Sequence, residues 1–419
     1  MRFINSAPVS ASRIGFGVNL GSLTGGGEPT DFADPNTGAF QNGNIGQMSV
    51  LMNSMGMTWA RVSAFWAPDT AALATPLVDR LGGIASILHG QGKKVIVDNA
   101  VPGMYVPKTT LMGTGPMATM TDQQLEDSAY GWLRPPVSYF SGIVDWWGLM
   151  NEANLQLCFA YNIDPLFGRG TTAAEFLNPQ PGSLTANNGQ VVLNNKAETD
   201  PTYFPPAYSN TGVYNGGTDI DHAKIGLLAH KLIVLNRGIA RAVHEFGGKV
   251  VLNTTNINVG WIAANIQMGV QIDAVGRHIY ETASYSLRRQ YGGPAAAAVP
   301  SLGIVQGQTA FDMAALYGSF GLPIIDEELN GNQRYATSPT APSGDPTLLA
   351  GDASMINLLN EVESDPRCIA AIVYRLTCQP THPNASERAF GVYQDLFTPK
   401  TSAKAVRGYV NPALPRINL

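Results

Sequence analysis

Residues 143–152 read IVDWWGLMNE, and the reading of this stretch decides the fold. A run dominated by aliphatic and aromatic residues suits a buried strand, as in a parallel sheet. It stops on an amide and a carboxylate, Asn151 and Glu152. A strand giving way to a loop accounts for the Asn, a common turn residue. The Glu beside it asks for more, because in a parallel barrel the C-terminal ends of the strands are where reactive side chains collect.

Seven further stretches of the same kind surround it. RIGFGVNL (13–20), TWARVSAFW (58–66) and KKVIVDNAV (93–101) precede it. GKVVLNTTN (248–256), DAVGRHIYE (273–281), LPIIDEELN (322–330) and CIAAIVYRL (368–376) follow. Helical patterns lie between them. The clearest runs through Ile225, Leu228, Leu232, Leu235, Ile239, Val243 and Phe246, a stripe at helical spacing closed by Gly247. Strand–helix alternation implies parallel strands joined by crossover helices. The expected fold is therefore α/β, a (β/α)8 barrel with long βα-loop insertions and no separate second domain, spanning 1–419. The insertions fall at about 156–221 and 282–308, polar and aromatic segments without a strong period. Following the fourth and sixth strands, they would lie over the C-terminal mouth. A doubly wound sheet is the alternative, but GSLTGGGEPT after the first strand has neither dinucleotide nor P-loop spacing.

Composition narrows the partners. Charged residues make up 14% of the chain, against about 25% in ordinary soluble proteins. The net charge of -5, with no Lys/Arg cluster, argues against a nucleic-acid partner. Polarity comes from Asn, Gln, Ser and Thr, which suits neutral polar ligands. Apolar runs fall short of the ~18 residues a membrane span needs. MRFINSAPVSASRIGFGVNL at the start has no apolar h-region, so no signal peptide is expected in this chain. A secreted or periplasmic location is expected, with the cytoplasm as the alternative; oligomeric state is left open. Cys158, Cys368 and Cys378 lack metal-ligand spacing and read as buried thiols, a Cys368–Cys378 disulfide being the alternative.

The seventh strand ends with Asp326, Glu327 and Glu328 in a row. Strict alternation would put Asp326 and Glu328 on one face and Glu327 on the other. The fourth and seventh strands would then each present a Glu to one mouth. Two carboxyls across a cleft are the minimum equipment for glycosidic hydrolysis: one protonates the leaving oxygen, the other attacks the anomeric carbon or activates water.

WGLMNEANL resembles the acid/base motif W-E-x-W-N-E-P-N-L of glycoside hydrolase family 39, within the clan A retaining glycosidases. LPIIDEELN is similar to that clan's nucleophile segment, and aligning Pro323 with the motif proline puts the nucleophile at Glu328. RHIY matches the clan's His-x-Tyr at His278 and Tyr280, and WARVS its strand-two arginine at Arg61. FGVYQDLFTPKTSAKAV resembles the family's closing pattern. The pattern is departed from at Ala153, which replaces the motif proline, at Glu327, which replaces the strand-seven Thr, and at YRLTCQ, where the strand-eight aromatic is absent.

The resemblance implies a retaining glycoside hydrolase acting by double displacement on an oligosaccharide or polysaccharide, with no cofactor and no metal. Glu152 would be the acid/base and Glu328 the nucleophile, with Asn151 on the sugar 2-OH and Arg61 and Tyr280 holding Glu328. His278 and Asn99 would face the same mouth. Asp326 and Glu327 are expected to support the site or close a salt bridge. The loop residues Tyr203, Tyr208, Tyr214, Tyr285 and Tyr291 are candidates for stacking on sugars, and Arg288 and Arg289 for reading an acidic one. A catalytically silent carbohydrate-binding barrel is the alternative. A metal-dependent hydrolase is a third reading, disfavoured because the six His form no H-x-H or H-x-x-x-H pair.

Overall fold

The computed structural model describes residues 14–22, 43–64, 83–99, 107–113, 116–161, 173–179, 222–255, 259–280, 289–290, 311–312, 317–330, 346–378 and 390–411. Eight parallel strands close into a barrel: β1 Gly15–Ser22, β2 Trp59–Ala64, β3 Lys94–Asn99, β4 Trp146–Met150, β5 Lys249–Thr255, β6 Ala274–Tyr280, β7 Ile324–Asn330 and β8 Cys368–Val373. Each pairs with its neighbours in the chain, and β8 returns to β1. This is the (β/α)8 fold that the alternation of patterns implies, with all eight strands where the sequence places them.

Outward-facing residues such as Val95, Val97, Leu149 and Leu252 are buried under the surrounding helices in one continuous core. The stripe from Ile225 lies on the helix His222–Glu245, and Leu228, Leu232, Leu235, Ile239 and Val243 are fully buried. Each such side chain contributes about 1.5–3 kcal/mol of burial. Gly247, at φ 73, terminates this helix in a left-handed conformation that favours glycine. It packs against the helix Asp122–Tyr139, whose Thr121–Gln124 capping box satisfies the first free amides.

The start of the first expected insertion is more regular than its composition suggests. The helix Ala153–Tyr161 follows β4 directly, with Leu157, Cys158 and Tyr161 buried, and Ala174–Leu177 forms one further helical turn. Of the second insertion, Arg289–Gln290 pairs antiparallel with Phe311–Asp312. Tyr203, Tyr208, Tyr214, Tyr285, Tyr291 and Arg288 lie outside the described residues. All three cysteines are free and buried, so no disulfide joins Cys368 and Cys378. Cys368 instead faces Asp326, with its sulfur 3.6 Å from Oδ2, and Cys378 faces Lys400 at 3.5 Å. Among the described residues no helix is long and apolar enough to cross a membrane.

Inside the barrel a separate apolar layer contains Trp59, Ile96, Trp146, Val251, Ala274, Ile325, Ala370 and Ile372. It makes an apolar floor. Two residues further along six of the strands the inward side chain becomes polar or vanishes: Arg61 on β2, Asp98 on β3, Gly148 on β4, Asn253 on β5, Gly276 on β6 and Glu327 on β7. The two glycines make room. A Cβ on Gly148 would sit 2.3 Å from Asp98 Oδ1, and one on Gly276 would sit 1.8 Å from Glu327 Oε2.

Candidate active site

Arg61 is fully buried at the centre of this polar layer. Its Nη1 donates to Glu328 Oε1 at 2.6 Å, and its Nη2 donates to Asp98 Oδ2 at 2.7 Å and to Asn151 Oδ1 at 2.9 Å. Its Nε lies 3.8 Å from Glu327 Oε1. One cation thus holds three carboxyl groups and an amide drawn from β3, β7 and the end of β4. Burial works against the charge on Arg61, but Asp98, Glu328 and Glu327 outweigh it and raise its pKa further.

Glu327 and Glu328 both face inward, which strict alternation forbids. Two registers explain how. Opposite β6, Arg277 pairs with Asp326 while His278 pairs with Glu328; opposite β8, Ala371 pairs with Asp326 while Val373 pairs with Leu329. Each neighbour shows one extra residue on β7, a β-bulge that turns Glu328 back toward the mouth. Asp326 does not share the face of Glu328, as alternation would have it. It points outward to a bidentate ion pair with Arg277, at 2.7 and 2.9 Å.

His278 bridges the two glutamates at the mouth. Its Nδ1 lies 2.9 Å from Glu152 Oε1 and 3.3 Å from Glu328 Oε2. Its Nε2 faces the amide nitrogen of Asn253 and, at 3.5 Å, Arg61 Nη2. Two donors at Nε2 make it the acceptor, so the ring proton sits on Nδ1 and points at the carboxyls. Burial, reinforced by Arg61 against the pull of Glu328, lowers the His278 pKa to about 3, so the ring is neutral. One oxygen of Glu152, one ring nitrogen of His278 and one oxygen of Glu328 lie within 4.8 Å of one another.

That trio has the donor types of a metal site. Arg61 already occupies Glu328, however, and the protonated Nδ1 offers a hydrogen rather than a lone pair. The arrangement fits a proton relay better than a cation.

Glu152 sits just past β4 with φ 50, a left-handed conformation that a non-glycine residue rarely adopts. Its backbone N–H is held by Asn253 Oδ1 at 2.8 Å. Burial raises its carboxyl to about 7, against a smaller opposing pull from Arg61. Glu327 is likewise raised to about 7 by burial, opposed by Arg61 and by the 2.9 Å hydrogen bond from Asn253 Nδ2. Asp98 is pushed well above the usual carboxylate range by burial, again against Arg61.

Of the residues singled out from sequence, Arg61, Asn151, Glu152, His278 and Glu328 come together. Asn99 does not join them. It points away from Arg61 and donates to the Gly148 carbonyl at 2.6 Å, while its neighbour Asp98 takes the inward place. Tyr280 pairs through its backbone with Asn330, and its side chain lies outside the described residues. Asp98 and Asn253 are the members that sequence reasoning missed. Each stands two residues after an inward apolar residue, Ile96 and Val251, but which parity faces inward is set by the closed barrel and is not marked in these doubly apolar strands.

No protein-family model matches the chain, and no curated protein matches it. Among solved structures, it resembles a GH53 catalytic domain from Ignisphaera aggregans at 13% identity and TM-score 0.53, over 97% of this chain and 99% of that one. It also resembles the family 1 β-glucosidase of Thermotoga maritima at 12% identity and TM-score 0.55, over 96% and 98%. The AHE enzyme from Alicyclobacillus herbarius aligns at 12% identity and TM-score 0.57, over the whole of both chains. These likenesses show the barrel fold; they do not show family 39.

Proposed function

We propose that this chain is a retaining glycoside hydrolase acting on an oligosaccharide or polysaccharide by double displacement, with Glu328 as nucleophile and Glu152 as acid/base. The observation that carries the reading is the pairing of two carboxyls, with oxygens within 4.8 Å, in unequal surroundings. A retaining pair stands about 5–5.5 Å apart, whereas an inverting pair needs roughly 6.5–9.5 Å to admit water. Glu328 accepts from the Arg61 guanidinium, which fixes one carboxylate oxygen and leaves the other toward the mouth, where it lies 3.3 Å from His278 Nδ1. Glu152 receives no hydrogen bond from Arg61, and its carboxyl, raised to about 7, keeps a proton for the leaving oxygen near neutrality. The glycosidase names among the structural neighbours support the same reading.

In the first step Glu328 would attack the anomeric carbon as Glu152 protonates the departing oxygen. In the second, Glu152 would take a proton from water, which attacks the glycosyl ester and frees Glu328. Asn151, fixed by Arg61, would present its amide N–H2 to the sugar 2-OH, a contact that strengthens as the oxocarbenium ion forms.

A screen of aryl glycosides (xylosides, glucosides, arabinosides, glucuronides) and polysaccharides, with the first-formed anomer identified by NMR, tests the proposal. Turnover with retention supports it, and inversion contradicts it. Carbohydrate binding without turnover would assign the silent barrel instead.

A further inference from the structure

Asn253 on β5 is buried, carries no charge and belongs to no motif, yet its single side chain touches three members of the site. Its Oδ1 accepts the Glu152 backbone N–H at 2.8 Å. This contact fixes the amide's orientation, since only the oxygen can accept. Its Nδ2 must therefore point the other way, where it meets Glu327 Oε2 at 2.9 Å and His278 Nε2. A lone pair on Nε2 follows, and with it a proton on Nδ1, aimed at Glu152 Oε1 2.9 Å away. The same side chain that secures Glu152 in its left-handed backbone conformation also selects the histidine tautomer that faces its carboxyl.

We propose that Asn253 is a positioning residue for proton transfer: it orients Glu152 through its backbone and, through the His278 tautomer, sets which oxygen of Glu152 is left to carry the exchangeable proton. With Nδ1–H directed at Oε1, the acid's proton resides on Oε2, the oxygen free to face a leaving group. Glu327, the other partner of Asn253 Nδ2, anchors the amide from beneath. The charged and titratable groups facing this unit are Glu152 from the end of β4, His278 from β6, Glu327 and Glu328 from β7, and Arg61 from β2. The inference rests on the glycosidase reading for its catalytic consequence, whereas the tautomer can be read without turnover.

The test uses Asn253→Asp, which keeps an oxygen for the Glu152 N–H and replaces the donor with an acceptor, and Asn253→Ala, which removes both. Ring 15N chemical shifts of the full-length protein, with His278 assigned through His278→Gln, report the tautomer. The wild type should show Nδ1–H, and Asn253→Asp should show a proton on Nε2. In parallel, kcat/KM is compared on two glycosides of whichever sugar the wild type cleaves. With an alkyl leaving group, which needs an acid, the variants should lose about 10–100-fold, part of the 10²–10⁴ that general acid catalysis supplies. With dinitrophenolate, which leaves unprotonated, they should stay within about threefold. Equal losses on both glycosides, or an unchanged tautomer in Asn253→Asp, would overturn the proposal. Absence of wild-type turnover would sink the glycosidase reading alone, leaving the ring spectrum to decide the tautomer.

Discussion

Glu327 and Glu328, adjacent in sequence, both turn toward the guanidinium of Arg61: Oε1 of Glu328 is 2.6 Å from Nη1, and Oε1 of Glu327 is 3.8 Å from Nε. The bulge on β7 makes this arrangement possible, and it leaves the two carboxyls in different surroundings. Glu328 reaches the mouth and meets His278, while Glu327 lies beneath it, fully buried against Asn253 and the gap above Gly276. Their roles should separate accordingly.

Glu327 should govern stability through its proton. Burial lifts its pKa from 4.5 to about 7, so its stabilisation is fully present below pH 4.5 and is lost as pH rises through 7. Glu327→Gln has no such titration. Thermal or urea unfolding of both proteins across this window should show the variant gaining on the wild type by up to about 3 kcal/mol. A stability difference that stays flat with pH would mean that Glu327 is ionised throughout.

Removing Arg61 should be costly in a different way. Arg61→Met strips the cation from Asp98, Glu327 and Glu328 at once, and breaking a buried charge network from one side costs roughly 3–5 kcal/mol. The penalty should be full at neutral pH and should shrink toward pH 4, because carboxyls left without a cation regain stability as they bind protons. Denaturant midpoints at the two pH values check this. A pH-independent loss would point to packing as the cause.

The acid/base assignment predicts a basic limb in kcat/KM near pH 7, from deprotonation of Glu152. Glu152→Gln should abolish that limb and lower turnover of glycosides with poor leaving groups by about 10²–10⁴. A limb that persists in the variant would belong to another group.

Much of this architecture is legible in the sequence, because all eight strands coincide with short runs rich in apolar residues, and the helix His222–Glu245 has an unbroken stripe. Glu152 and Glu328 are legible for a related reason, as carboxylates at or near the C-terminal ends of such strands, whereas Arg61 and His278 are legible through the resemblance of WARVS and RHIY to clan motifs. What escaped is what the chain decides in three dimensions. Strict alternation misplaces Asp326, because a bulge is set by the neighbouring strands β6 and β8 and leaves no local mark. Asn99 is expected at the mouth because it ends its strand, but parity with inward Ile96 puts its neighbour Asp98 inside instead. Asn253 sits in VVLNTTN like any strand amide, and its importance comes only from Glu152 and His278 arriving beside it.

The identity of the nucleophile is the central claim, and azide rescue tests it most directly. Glu328→Ala and Glu327→Ala are assayed on an aryl glycoside that the wild type cleaves, with and without sodium azide. Glu328→Ala should lose turnover by several orders of magnitude, then recover with azide as a glycosyl azide of inverted configuration, because the anion attacks the vacated anomeric face. Glu327→Ala should keep its mechanism, lose about 1–3 kcal/mol of stability through the unpaired Asn253 donor, and show no rescue. Rescue of Glu327→Ala, with none for Glu328→Ala, would contradict the account.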